Sequence, residues 1–163
     1  WGRGRRFGSQ MPAIVNGVLG GWQLGVVGRH QSGQPLGFGD AIFVGNLKEI
    51  ALPKGQRTVD RWFNTGAGFV RDPAQQRAYN LRSFPLRFGG VRGPSQQRWD
   101  LSARKNFEIT ETVRLEFRAE AINALNSAIF LPPNTTPTSS AFGRVTGVAW
   151  QGREWQFGLK VRF

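Results

Sequence analysis

Arg153-Glu154-Trp155-Gln156-Phe157-Gly158-Leu159-Lys160-Val161-Arg162-Phe163 alternates almost without a break. Trp155, Phe157, Leu159, Val161 and Phe163 point one way, while Glu154, Gln156, Gly158, Lys160 and Arg162 point the other. Successive side chains of a β-strand project to opposite faces, so the stretch predicts a strand with an apolar medium on one side and water on the other. Its length suits a tilted strand crossing a bilayer, which takes roughly 9–11 residues. A half-buried strand of a soluble sandwich would show the same local pattern. Recurrence along the chain decides between them.

The pattern recurs three times. Even positions from Val18 onward read Val18, Gly20, Trp22, Leu24 and Val26, against Gln23, Gly25 and Arg29 among the odd ones. Trp99, Leu101, Ala103, Lys105 and Phe107 alternate with Asp100, Ser102, Arg104 and Asn106; Val113, Leu115, Phe117, Ala119 and Ala121 alternate with Arg114, Glu116, Arg118 and Glu120. The four segments predict strands at about 17–30, 97–107, 113–123 and 153–163. Trp22, Trp99, Phe107 and Trp155 lie near strand ends, where rings suit a membrane interface. The expected fold is all-β: an antiparallel up-and-down meander of about four full strands, a fragment of a large transmembrane barrel.

Composition fits that reading. No run of about 18 apolar residues offers a transmembrane helix, and a barrel hides its membrane signal in half of each strand. Cysteine is absent, which removes disulfides, thiol catalysis and cysteine-held metals. The sequence starts at Trp1 without an initiator Met or export signal, so the expectation is the tail of a longer polypeptide.

Spacing supplies the topology. Residues 108–112 make a short polar connection suited to a hairpin, whereas 31–96 and 124–152 are long. Outer-membrane barrels have short periplasmic turns and long external loops, so 108–112 is expected in the periplasm and the other two outside, with Phe163 at the periplasmic rim. Residues 1–16 should then hold the close of an earlier strand and a turn. For both hairpin strands to share an apolar face, paired residue numbers must sum to an even number. A sum of 220, for example, would set Phe107 opposite Val113 and Arg104 opposite Glu116. Lys105 is the one ion on the apolar face. Its cost is roughly 2–4 kcal/mol at the bilayer midplane and almost nothing at the interface, so it is expected to snorkel outward beside Phe107.

Several short motifs, taken in order, carry a family resemblance. They are Gly20-Gly21-Trp22-Gln23-Leu24, Gln31-Ser32-Gly33-Gln34-Pro35, Arg61-Trp62-Phe63-Asn64, Arg92-Gly93-Pro94, Trp99-Asp100-Leu101-Ser102, Lys105-Asn106-Phe107, the run from Phe117 to Asn123, Pro133-Asn134-Thr135, Phe142-Gly143 and the run from Gln156 to Phe163. The set resembles the carboxy-terminal barrel of TonB-dependent outer-membrane receptors, in particular the Oar-like group, whose members often carry an amino-terminal carboxypeptidase-regulatory-like domain. The resemblance implies a barrel of about 22 strands around a plug, of which this chain would supply the last four and the end of a fifth. It implies uptake or binding of a bulky ligand such as a glycan, siderophore or cobalamin. Implied partners are outer-membrane lipid and lipopolysaccharide, the remaining barrel and plug, and TonB through segments outside this chain. Phe157, Leu159, Val161 and Phe163 resemble the signal read by the barrel-assembly machinery.

The net charge of +12 invites a second reading, a basic soluble β-domain gripping nucleic acid or another polyanion. The charges are spread rather than pooled: 31–98 holds ten Lys/Arg against four Asp/Glu. No nucleic-acid partner is expected on that ground. No catalysis or cofactor is expected either. His30 is the single histidine, and Asp100, Glu116 and Glu120 are interleaved with Arg104, Arg114 and Arg118 in the manner of a charge ladder. If the long loop meets a ligand, Arg61, Trp62, Phe63, Asn64 and Phe69 are the candidates, since aromatics beside polar groups can stack on sugars or rings. The same side chains could instead pack the loop against itself.

Overall fold

A short helix, α1 (Ala13–Leu19), precedes the first long strand. The Gly20 N–H donates to the Asn16 carbonyl at 2.8 Å, and Gly21, left-handed at φ 73°, turns the chain out of the helix. Among the described residues the strands that follow are β1 (Trp22–Gln31), β2 (Pro35–Leu36), β3 (Phe88–Arg92), β4 (Gln96–Glu108), β5 (Arg114–Ile122), β6 (Ile129–Phe130), β7 (Val148–Trp150) and β8 (Glu154–Arg162). This is a computed structural model, and it describes residues 6, 7, 10, 12–77, 79–150 and 152–163. The chain divides into two units: one draws on Trp1–Arg29, Gln97–Ser127 and Gly152–Phe163, the other on His30–Gln96 and Ala128–Gln151.

The first unit is a wall, a four-stranded sheet in the order β1-β4-β5-β8. β4 pairs antiparallel with β5, and β5 with β8. β1 also runs against β4, for Gln23 meets Arg104 and the ring of Trp99 lies across Gly28. Any Cβ at Gly28 would sit 2.7 Å from that ring, so a larger residue there would have to displace it. The alternation seen in the sequence thus forms a continuous meander, with strand ends shifted from those expected. Residues 17–19, expected in the first strand, belong to α1, because the helix closes before Gly21 can start the extended chain. Of the expected turn-bearing segment 1–16, residues 13–16 also belong to α1, while 1–5, 8, 9 and 11 lie outside the described residues.

The β4–β5 register obeys the even-sum rule but not the sum of 220. Phe107 faces Leu115, and Arg104 faces Arg118 rather than Glu116. The turn sets this. The Ile109 N–H donates to the Val113 carbonyl at 3.0 Å and the Val113 N–H to the Thr110 hydroxyl at 3.0 Å. The loop therefore closes on Ile109 and Val113, one residue beyond the expected 108–112, and moves β5 along β4 by two residues.

The second unit is a lobe folded from both long connections. Its core is aromatic: Phe38, Phe63, Phe69, Phe84, Phe88 and Phe142 pack with Leu36, Ile50 and Val91, all buried. Ring pairs run edge-on or stacked at 5–6 Å, as Phe38 on Phe63 at 5.2 Å and Phe63 on Phe142 at 5.2 Å. Short ladders pair β2 with β3 and β6 with β7. Elsewhere side chains hold the irregular backbone. Gln76 accepts from the Ile42 N–H at 3.1 Å and donates to the Val70 carbonyl at 2.6 Å. The two long connections, expected as external loops whose aromatics could pack the loop against itself, form a small folded body with its own core.

Candidate functional site

The wall has two chemically opposite faces. By register, Phe117 lies between Lys105 and Leu159, Ala119 between Ala103 and Phe157, and Ala121 between Leu101 and Trp155. Leu24, Val26, Phe157 and Leu159 are each more than 60% exposed on this apolar side, and Trp22, Trp99, Trp155 and Val161 stay exposed with them. A soluble protein rarely leaves so broad an apolar surface bare. Rings run across it: Trp22 edge-on to Phe117 at 6.1 Å, Phe117 over Phe157 at 6.5 Å, Phe157 over Trp155 at 6.2 Å. Between them Ala103, Ala119 and Ala121 floor a trough of about 260 Å³, edged by Leu24, Val26 and Trp155.

Trp22 and Phe107 lie toward the turn end of the wall, Trp99 and Trp155 toward the other end. From Trp99 to Phe107 the strand advances by about 26 Å at roughly 3.3 Å per residue. A tilt of about 35–45° shortens the projection to about 20 Å, which lies within the apolar band of about 25 Å found on outer-membrane barrels. All four rings expected at an interface are on the apolar face.

The opposite face is ionic. Arg98 grips Asp100 at 2.9 Å, Arg118 grips Glu120 at 2.5 Å, and Arg162 grips Glu116 at 3.2 Å. Each candidate carboxylate thus holds an arginine, though only Arg118 of the three expected partners is among them. Arg104 instead donates to the Gln23 side chain. Asp100 also accepts from the Asn123 N–H at 2.8 Å. Asn123, fully buried at φ 52°, exchanges hydrogen bonds with Ser127 and turns the chain at the end of β5. Sequence reading passed over this arrangement, although an Asn directly after a strand is a turn signal. His30, in β1, is exposed, and among the described residues no cluster of His, Asp or Glu could hold a metal.

Lys105 does not snorkel. Its side chain is 3% exposed, with Nζ donating to the Val18 carbonyl at 2.8 Å and the Gly20 carbonyl at 2.7 Å. Trp22 and Phe107 flank the ammonium at 5.5 and 5.0 Å from their ring centres. The last carbonyls of a helix lack partners within it and carry partial negative charge, so a cation there is favourable. The lysine is the cap of α1.

In the lobe, the expected ligand aromatics are turned inward. Phe63 is fully buried and Phe69 nearly so. Trp62 packs partly against the same core and donates Nε1–H to the Arg92 carbonyl at 2.7 Å. Asn64 donates to the Glu49 carbonyl at 3.1 Å and accepts from the Gly66 N–H. Arg61 stays exposed, its backbone N–H held by Thr58. Of the five, the rings serve the packing of the lobe.

The model of a protein family described as "Outer membrane beta barrel domain" matches residues 1–156. Neither the curated proteins nor the solved structures give a match.

Proposed function

The chain belongs to the outer membrane β-barrel domain family, and from that premise we propose that its wall is part of a TonB-dependent receptor that binds or imports a bulky ligand. One observation carries the membrane role: a single sheet presents uncovered Leu, Val, Phe and Trp on one face and arginine–carboxylate pairs on the other. That division needs lipid outside and water within. Four strands cannot close a barrel, since outer-membrane barrels have at least about eight. In this reading further strands complete the wall. The receptor reading is supported by the ordered motifs from Gly20 to Phe163 and by the folded lobe, whose core gives the long connections a defined surface for a ligand.

In this reading the Ile109–Val113 turn faces the periplasm and the lobe faces the cell exterior. Basic side chains of the lobe such as Lys48 and Lys54 then meet the phosphates of lipopolysaccharide. The test uses the full-length protein. It should fractionate with the outer membrane, run with heat-modifiable mobility, and be retained by the periplasmic domain of TonB. A heat-modifiable outer-membrane protein with no affinity for TonB would leave the barrel standing and remove the receptor.

A further inference from the structure

Two cavities in the lobe, of about 390 and 490 Å³, both have Gly37 and Thr135 in their linings. Small-ligand clefts typically span about 300–1,000 Å³ and are mostly apolar. The linings here mix Pro35, Leu36, Pro94 and Pro132 with amides, hydroxyls and backbone. In the first cavity Ser32, Gln34, Gln96 and Thr135 line the walls together with the half-buried ring of Phe130. Among the described residues none of those four polar side chains hydrogen-bonds the protein. The second cavity is lined by Thr136 and Thr138 as well.

Charge is the informative contrast. The lobe holds ten Lys/Arg against four Asp/Glu, yet one ionisable side chain lines the two cavities. That side chain is Asp40, and Arg82 holds it at 3.1 Å. An anionic ligand would find its counter-charges elsewhere on the lobe. The floor is also fixed. The Gly93 N–H donates to the Gln34 carbonyl at 2.9 Å, Arg92 donates to the Gly33 carbonyl at 3.1 Å, and Pro35 pairs with Arg92 in the β2–β3 ladder. Binding there costs little ordering of the backbone.

We propose that this cleft binds a neutral oligosaccharide. An amide offers a donor and an acceptor together, as does a sugar hydroxyl, so Gln34 and Gln96 match paired hydroxyls without a formal charge. The Phe130 ring offers a face for the apolar side of a sugar ring. The proposal rests on the receptor reading and names the ligand class of its outer lobe.

The test is a glycan array carrying neutral and uronic-acid oligosaccharides, probed with the full-length receptor in detergent. Calorimetry on the strongest neutral glycan follows. Saturable neutral-glycan binding that is insensitive to added NaCl is expected, weakened about tenfold or more in Gln34→Ala and in Phe130→Ala. Arg87→Gln, an exposed cation outside the cleft, should bind as the parent does. Three results would overturn the proposal: no neutral glycan retained, a preference for uronic acids that salt abolishes, or both cleft variants binding at parental affinity. Heat-modifiable mobility is read on every sample. An intact barrel without glycan affinity refutes the cleft alone, whereas loss of barrel behaviour in the parent protein refutes both readings.

Discussion

Replacing Lys105 with Met separates two physical pictures by the sign of one number. A lysine lying in lipid is a liability, so its removal would stabilise the barrel by up to roughly 2–4 kcal/mol at the midplane and about 0–1 kcal/mol near the interface. The observed lysine is buried, with hydrogen bonds of 2.8 and 2.7 Å to the Val18 and Gly20 carbonyls. Hydrogen bonds to a charged group are worth about 1.5–3 kcal/mol each, and flanking rings add about 0.5–1 kcal/mol apiece. Met fills similar space and no longer requires a buried charge, which offsets part of that loss. The net expectation for Lys105→Met is destabilisation by about 2 kcal/mol. Urea titration of the full-length protein folded in phospholipid vesicles measures it. Hydrogen exchange at the Gly20 amide should rise in parallel, because α1 loses its cap. An unchanged or higher urea midpoint would refute the capping role and restore the snorkelling lysine.

Other substitutions probe the wall and the lobe separately. Leu159→Arg places a charge on the apolar face and should cost roughly 2–4 kcal/mol if the site lies near the midplane, whereas Gln156→Arg on the ionic face should stay within about 0.5 kcal/mol in the same urea titration. Phe63→Ala opens the aromatic core of the lobe and should cost about 3–5 kcal/mol of local stability. Limited proteolysis should then cut within 31–96 while heat-modifiable mobility persists; a lobe as resistant as the parent would contradict the core. Phe163→Asp in the full-length protein should lower the amount assembled at the cell surface more than it lowers ligand affinity, and normal surface levels would retire the assembly signal.

How much of this could be read from the sequence depends on how local the determining contacts are. Alternation on β4, β5 and β8 is a property of neighbours, and parity follows from it, so both faces of the wall were legible. The exact register was not, because a Thr110 hydroxyl bond chooses between closing on Ile109–Val113 and closing one residue earlier. Val18 and Leu19 fit an alternating strand as well as a helix. What decides is the Asn16–Gly20 hydrogen bond and the backbone turn at Gly21. Lys105 was misplaced because its partners lie 85–87 residues earlier in the chain. The core of the lobe was hidden for a related reason: apart from Phe88 in β3, its phenylalanines come from scattered irregular segments held by side chains such as Gln76, and no period marks them. The cleft residues Ser32 and Gln34 sit in a motif visible in the sequence, but their convergence with Thr135 and Phe130 is a product of folding.

The central claim is that β8 has lipid on one side and water on the other. Single cysteines placed from Trp155 to Val161 in the full-length protein, labelled with a fluorophore in bilayer vesicles, test it residue by residue. Brominated lipid should quench labels at 155, 157, 159 and 161, and iodide labels at 156, 158 and 160, with a period of two. Uniform access to iodide, or quenching that does not alternate, would contradict a membrane wall.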